Sequence, residues 1–292
     1  MIPSTIYNFN LDSAKFTYEI KYVDSTLEKG SIVSMSPANQ FVDPGQHIIF
    51  EVSKGNLTPW LIKVFFYGQI IMYDIILIYE GDYMKIGVIA ASGKVGNLMV
   101  NEALNRGHDV TAIVRDATKV FQNIVKIEKN IFDLNQSDLI GFDVVINAFG
   151  AKGNDPIVYQ TSTKHLIDLL SSTNVRMIVV GGAGSLYTDE SRAIQVFQTP
   201  SFPAVVYPTS FNMASALELL KNSTVNWTFF APAINFDYNG IFSGKVKLGF
   251  DYVILNDLNE SYISYKDYVK VLMDEVENKV YINKVMTAVS EK

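Results

Sequence analysis

The segment KIGVIAASGKVGNLMVNEALNRGHDVTAIVRD, residues 85–116, constrains the fold more than any other part of the chain. An apolar run leads into a short turn with Gly93 and Gly96, and residues with helical spacing of apolar positions follow. This order predicts a strand, a tight turn, a helix and a second strand. Such a turn lets the backbone approach a diphosphate closely, and the helix N-terminus adds free N–H groups. Ala90 replaces the usual first glycine, so the flanking strand and helix carry the prediction.

Apolar strands and amphipathic helices alternate over the rest of the chain after Met84. We predict strands at 85–91, 109–114, 124–127, 144–148, 177–181 and 227–231, and a last strand near 281–289. Helices are expected to begin near Gly93, Pro156, Ser191, Pro208 and Ser264. This alternation is typical of βαβ units, and it predicts an α/β fold with a Rossmann-type doubly wound parallel sheet in residues 84–292. Residues 232–258 are expected to form a small substrate-side lobe.

Residues 1–83 have a different texture, with short runs rich in β-branched and aromatic residues between turn signals. They predict a small all-β N-terminal domain, with a boundary at residues 81–83. The run WLIKVFFYGQIIMYDIILIY, residues 60–79, is also long enough for a membrane helix. Lys63 and Asp74 would be costly inside a bilayer, and Gly68-Gln69 can form a hairpin turn, so two strands are favoured. No chemistry is assigned to this domain, whose role could be a contact with a protein partner or a second copy.

Composition excludes several classes of protein. The net charge is −6 and the basic residues are scattered, which argues against a nucleic-acid partner. The chain has no cysteine, so disulfides and thiolate metal sites are absent, and we expect no metal at all. The first residues lack a secretory pattern, which favours a cytoplasmic location. His108 is expected at the surface and His165 in a packed or solvated helical position.

Two neighbouring residues at the end of the predicted second strand decide the cofactor preference. Asp or Glu at this place would bind the ribose hydroxyls of NAD(H), whereas Arg115 can bind a 2′-phosphate bidentately. Arg115 therefore favours NADP(H). In the alternative, Asp116 takes the ribose role, Arg115 is only solvated, and NAD(H) is the cofactor.

Seven motifs occur in a fixed order: AASGKVG, AIVRD, NIFDL, DVVINAFGA, IVVGGAGSLY, NWTFFAPA and ISYKDYV. With them, residues 84–289 resemble the NADH-flavin reductase family of atypical short-chain dehydrogenase/reductase proteins, which is related to the NmrA-like and biliverdin reductase B-like proteins. The resemblance does not extend to residues 1–83. It implies a Rossmann fold and NAD(P)H binding.

The resemblance also implies roles for residues of these motifs. Ala90, Ser92, Gly93, Lys94, Val95 and Gly96 would hold the diphosphate, and Arg115 would contact the adenosine ribose phosphate. Asp133 and Leu134 would border the adenine. Asn147, Ala148, Phe149 and Gly150 would pass under the nicotinamide ribose, with Gly182 to Ser185, Pro232 and Ala233 next to the nicotinamide and the substrate.

The reaction is less determined than the cofactor. Carbonyl-reducing short-chain dehydrogenases generally use a Tyr-x-x-x-Lys pair, but Phe211 follows Tyr207 at that spacing and Thr163 follows Tyr159. Reduction of a flavin or a quinone requires less proton transfer from the protein. The flavin is expected as a substrate and not as a tightly bound group.

Ser185 and Tyr187 are the candidate catalytic residues that would bind such an acceptor. Ser185 could instead cap a turn, and a structural role is favoured for Tyr187. Two functions follow: an NAD(P)H-dependent reductase of flavins or quinones, or a non-catalytic redox sensor of the NmrA type.

Overall fold

The structure, a computed structural model, describes residues 84–151 and 155–292 in full, and before them the backbone of five strands. The chain divides into two compact units, Met1–Tyr83 and Met84–Lys292. The predicted boundary turn at 81–83 and the Gly68-Gln69 turn lie outside the described residues.

The first unit contains five described strands. They are β1 (Thr17–Val23), β2 (Ile32–Ser36), β3 (His47–Ser53), β4 (Trp60–Val64) and β5 (Tyr73–Leu77). Strand β3 pairs in parallel with β1 and antiparallel with β2. Strands β4 and β5, from the stretch with two interpretations, pair antiparallel with Trp60 opposite Leu77. No helix in the described part of the chain has the length and hydropathy needed to cross a bilayer.

The second unit is built on an eight-stranded sheet. Its strands are β6 (Lys85–Ile89), β7 (Asp109–Val114), β8 (Val125–Glu128), β9 (Val144–Asn147), β10 (Arg176–Val180), β11 (Trp227–Ala231), β13 (Val246–Gly249) and β15 (Lys284–Ser290). The order is β13-β15-β11-β10-β9-β6-β7-β8, and only β13 runs antiparallel to its neighbour. The order reverses between β6 and β9, which is where a doubly wound sheet opens a crevice at its carboxyl edge.

Helices cover both faces of this sheet. They are α1 (Lys94–Asn105), α2 (Gln136–Leu139), α3 (Val158–Leu170), α4 (Tyr207–Lys221) and α5 (Tyr265–Asn278). Helices α1 and α5 bury Met99 and Leu272 in the core on one face. Helices α3 and α4 bury Leu166 and Leu217 in the core on the other. The Rossmann-type α/β fold is therefore confirmed for the second unit.

All strands of the sheet except β13 lie within a few residues of their predicted positions. The prediction of a helix near Ser191 is wrong. Ser191 lies in a turn, where its N–H and hydroxyl donate to the Asp189 carboxylate at 2.8 and 2.5 Å. Short polar side chains offer the backbone such local bonds in competition with helix formation. In the stretch between β10 and α4, which the structure describes throughout, the helical segments are the two 3₁₀ turns Ala183–Ser185 and Val196–Gln198.

The segment expected to form a lobe is divided in the structure. Strand β12 (Asn235–Asp237) pairs in parallel with β14 (Tyr262–Ser264) in a separate small sheet. Strand β13, from the same segment, instead pairs with β15 at the edge of the main sheet. Only the part around β12 follows directly from the carboxyl end of β11, the edge at which ligands bind.

Candidate functional site

The turn between β6 and α1 is held by one carbonyl group. Ala90 has a left-handed backbone with φ of 59°, and its carbonyl oxygen accepts a hydrogen bond from the Gly93 N–H at 2.9 Å. A Cβ atom on Gly96 would lie 2.3 Å from the same oxygen. Gly96 is therefore required because the first turn of α1 packs directly on the backbone of Ala90.

The N-terminus of α1 is open to a ligand. No side chain of the described residues caps it, and its first turn contains no acidic residue. Within the described residues, the N–H groups of Lys94 and Val95 have no hydrogen-bond partner, while Ser92, Gly93 and Lys94 are exposed. Unpaired N–H groups and the positive end of the helix dipole favour a bound anion.

Arg115 and Asp116 differ in how they are engaged. The Asp116 carboxylate accepts hydrogen bonds from the N–H and the hydroxyl of Thr118, and it forms an ion pair with Lys119 at 2.9 Å. These contacts lower the pKa of Asp116 to about 2, and the largest contribution is the hydrogen bond from the Thr118 side chain. Arg115 is exposed and makes no ion pair within the described residues. Of these two charged groups at the end of β7, only the Arg115 guanidinium has no ion-pair partner among the described residues.

Asp133 and Leu134 lie at the end of the 3₁₀ turn Ile131–Asp133, which follows β8. The Asn130 side chain caps this turn by accepting from the Phe132 N–H at 3.2 Å. Leu134 is buried, and its carbonyl oxygen lies 3.0 Å from the His165 Nε2. Asp133 is exposed beside this fixed backbone.

The end of β9 carries Asn147 to Gly150. Asn147 is buried, and its Oδ1 accepts from the Phe149 N–H at 3.1 Å, which fixes the turn away from the strand. The Ala148 N–H donates to Ile89 on the neighbouring β6 at 3.2 Å. Among the described residues, no atom would lie within 4 Å of a Cβ on Gly150.

Ser185, after β10, has the most informative side chain of the site. Its side chain is buried, yet its hydroxyl has no hydrogen-bond partner within the described residues. Its carbonyl oxygen accepts from the Gln195 Nε2 at 2.9 Å, which fixes the backbone. An unsatisfied buried hydroxyl costs about 1–3 kcal/mol, a cost that a ligand could remove.

Glycines let α4 approach the turn that carries Ser185. A Cβ on Gly182 would lie 2.9 Å from the Met213 sulfur, and one on Gly184 would lie 2.6 Å from the Ser210 Cβ. Helix α4 therefore forms the wall behind Ser185.

Tyr187 and Pro232 complete the predicted set. The Tyr187 N–H donates to the Asp251 carbonyl at 2.8 Å, and its carbonyl accepts from the Val253 N–H at 2.9 Å. Its backbone thus holds residues 251–253, while its side chain is partly buried. Pro232 and Ala233 are buried at the end of β11.

Two features of the structure were not expected from the sequence. The Lys94 Nζ lies 4.2 Å from the centre of the Tyr238 ring, although Tyr238 was given no role. The expectation of a surface position for His108 is wrong. Its side chain is buried, with Nε2 3.2 Å from Glu277 and Nδ1 3.4 Å from the Met84 N–H. No local pattern signals either contact, because both join residues far apart in the chain.

Three features of the second unit indicate which class of protein it belongs to: the strand order, the tight turn before α1 and the open N-terminus of α1. They are the features of a Rossmann-type protein that binds a nicotinamide dinucleotide at the carboxyl edge of its sheet.

Comparisons with known proteins agree with this class. Residues 90–274 match the NAD(P)H-binding family. The chain is 43% identical to the uncharacterized protein YwnB of Bacillus subtilis over 211 residues, which are 71% of this chain and 99% of that protein.

Two solved structures extend the comparison. A "putative NADH-flavin reductase" from Streptococcus pneumoniae has 40% identity and a TM-score of 0.69, covering 71% of this chain and all of its own. A "putative epimerase" from Bacteroides thetaiotaomicron has 29% identity and a TM-score of 0.65, covering 72% of this chain and 99% of its own. The chain belongs to the NAD(P)H-binding family and has an oxidoreductase-like fold of the atypical short-chain dehydrogenase/reductase type.

Proposed function

We propose that this protein is an NADPH-dependent reductase that transfers hydride to a planar conjugated acceptor, a flavin or a quinone. The name of the similar structure from Streptococcus pneumoniae refers to flavin reduction, which supports this class of acceptor. The observation that carries the proposal is the buried Ser185 hydroxyl after β10, which has no hydrogen-bond partner among the described residues.

The residues of the site fit the cofactor. Gly93 and Gly96 keep the backbone of the turn free of side-chain atoms, and the first N–H groups of α1 are available to a diphosphate. Ser92, Lys94 and Val95 would bind there with them. Arg115 would bind the 2′-phosphate, because its neighbour Asp116 is already engaged by Thr118 and Lys119.

The rest of the dinucleotide would follow the carboxyl edge of the sheet. Asp133 and Leu134 would border the adenine. The backbone of residues 147–150 would pass beside the nicotinamide ribose, and Gly182 and Pro232 would border the nicotinamide. When bound, NADPH supplies the hydride.

Little proton transfer is asked of this chain's residues. Phe211 stands where a lysine would follow Tyr207, and Lys164 is exposed and bound to Asp168 at 2.5 Å. Neither side chain can support a tyrosine as a strong proton donor. In our proposal Ser185 donates a hydrogen bond to the acceptor, Tyr187 adds a second contact, and a proton comes from water.

The test is calorimetric titration of the full chain with NADPH and NADH, followed by NADPH oxidation with FMN, FAD and a quinone. We expect NADPH to bind more tightly than NADH. Arg115→Ala should weaken NADPH binding about tenfold to a hundredfold, the loss expected for charge-assisted hydrogen bonds, and leave NADH binding unchanged. An equal loss for both would assign Arg115 a role other than recognition of the 2′-phosphate.

Turnover separates the enzyme from the sensor. Ser185→Ala should lower kcat about tenfold, with a smaller effect for Tyr187→Phe, while Ser171→Ala on the exposed end of α3 serves as the control. Unchanged turnover in both site variants would remove these roles. Tight binding without oxidation of NADPH by any of the acceptors would favour the sensor.

A further inference from the structure

One contact joins the dinucleotide turn to the segment that follows β11. The Lys94 Nζ lies over the ring of Tyr238, 4.2 Å from its centre. Lys94 is the first residue of α1, and Tyr238 comes directly after β12. Because α1 begins at the carboxyl end of β6 and β12 follows from the carboxyl end of β11, this contact lies at the edge of the sheet where open α/β folds bind ligands.

Tyr238 is held on a fixed base. Its ring packs edge-on against Tyr265, with 5.3 Å between ring centres, and Tyr265 stacks on Phe236 at 3.9 Å. Asp237 pairs with Ser264 between β12 and β14, and its carboxylate accepts from the Tyr262 hydroxyl at 3.2 Å. The position of the Tyr238 ring is thus determined by two strands and the start of α5.

In contrast to the Tyr238 ring, which packs on Tyr265, the Lys94 side chain extends from the surface. This side chain is exposed, and within the described residues no carboxylate lies within ion-pair distance of its ammonium group. A free lysine side chain has about 2 kcal/mol of rotamer entropy, so it binds a ligand poorly unless something restricts it. A ring face attracts the ammonium without neutralising its charge, and this leaves the charge available to an anion.

We propose that Tyr238 is a positioning residue for dinucleotide binding, which acts by holding Lys94 over the site of the diphosphate. The proposal rests on the proposed function, since it takes the turn before α1 as the diphosphate site. The turn, the N–H groups of Lys94 and Val95, and the Lys94 ammonium then form one anion-binding surface. Tyr238 adds to it from a part of the chain that the glycine motif does not include.

The test compares two probes on the full chain. NADPH contains the diphosphate, whereas adenosine 2′-monophosphate keeps the adenine and the 2′-phosphate and lacks it. Tyr238→Leu should weaken the binding of NADPH about two- to fivefold, which is the range expected for the loss of an exposed cation–π contact. The affinity for adenosine 2′-monophosphate should not change. Tyr238→Phe keeps the ring and should retain wild-type affinity. Phe242→Leu is the matched control, since its ring lies 5.9 Å from Lys270 on α5.

A double-mutant cycle shows whether Tyr238 acts through Lys94. In a Lys94→Met background, Tyr238→Leu should cause no further loss of NADPH affinity. An equal loss in both backgrounds, an equal loss for both probes, or no loss in Tyr238→Leu would overturn the proposal while leaving the proposed function intact. If the wild-type chain binds neither probe, the proposed function fails and this proposal fails with it.

Discussion

At the scale of single residues, Ala90 shows how the site departs from its usual pattern. Its φ of 59° lies in the left-handed region, where a side chain is strained and glycine is not. The conformation is kept because the Ala90 N–H donates to Ile113 at 2.9 Å while its carbonyl holds the turn. Alanine in place of the usual first glycine therefore adds backbone strain at this position, but the conformation of the turn is kept.

We predict that Ala90→Gly stabilises the protein. Relief of the left-handed strain should raise the free energy of unfolding by about 0.5–1 kcal/mol in urea denaturation, after the greater flexibility of glycine in the unfolded chain is subtracted. Asn259→Gly is the control, because Asn259 has φ of 61° but asparagine tolerates this region better. A loss of stability in Ala90→Gly, or an equal gain in both variants, would contradict this explanation.

At the scale of elements, charged groups attach α5 to the rest of the second unit. Arg106, at the end of α1, binds Asp274 and Glu277 of α5 at 2.8 and 2.9 Å. Arg176 of β10 forms a buried ion pair with Glu275, whose carboxylate also accepts from the N–H groups of residues 280 and 281. These contacts fix the orientation of α5, whose first residue Tyr265 supports Tyr238.

The pKa of Glu277 makes this attachment sensitive to acid. Burial raises the pKa, but the hydrogen bond from His108 and the attraction of Arg106 outweigh it, so the pKa lies below the 4.5 of a free glutamate. A carboxyl group with a lowered pKa contributes stability above its unfolded pKa, and this contribution is lost as the pH falls through its folded pKa.

We therefore expect Glu277→Gln to be less stable than wild type by about 1 kcal/mol at neutral pH, with the difference shrinking between about pH 5 and pH 3. Urea denaturation over this pH range measures it. Glu218→Gln, on the exposed Lys221 pair, should change stability little at any pH. A difference for Glu277→Gln that stays constant down to pH 3 would rule out the titration of this group as its cause.

At the scale of the whole molecule, the family match and the predicted site fall within one unit. Residues 90–274 match the NAD(P)H-binding family, and this range lies within Met84–Lys292. The second unit has a hydrophobic core on each face of its sheet. Such a unit contains what a domain needs to fold alone.

We predict that residues 84–292, produced alone, fold and bind NADPH with an affinity within about twofold of the full chain, because the residues proposed to hold the cofactor all belong to this unit. Thermal unfolding and calorimetric titration of both proteins test this. A truncated chain that fails to fold, or that folds and binds NADPH much more weakly, would show that residues 1–83 belong to the functional unit.

Local sequence was sufficient to predict seven of the eight strands of the main sheet, all but β13, and the tight turn before α1. The strands and α1 are defined by periods of apolar residues, and the turn by glycines where the backbone must approach another group. Hydrophobic periodicity is a local property, so it can be read without knowing the fold. The prediction of a helix near Ser191 was wrong because polar side chains there form hydrogen bonds with the nearby backbone. Hydrophobic periodicity does not detect such bonds.

Only the tertiary structure determined which distant groups meet. It brought Tyr238 over Lys94 and buried His108 against Glu277. It also buried the Ser185 hydroxyl where no other described residue is its hydrogen-bond partner. It also placed β13 at the edge of the main sheet instead of in a separate lobe. These outcomes depend on the packing of elements far apart in the chain, and pairwise contact at such separations leaves no periodic signal in a single sequence.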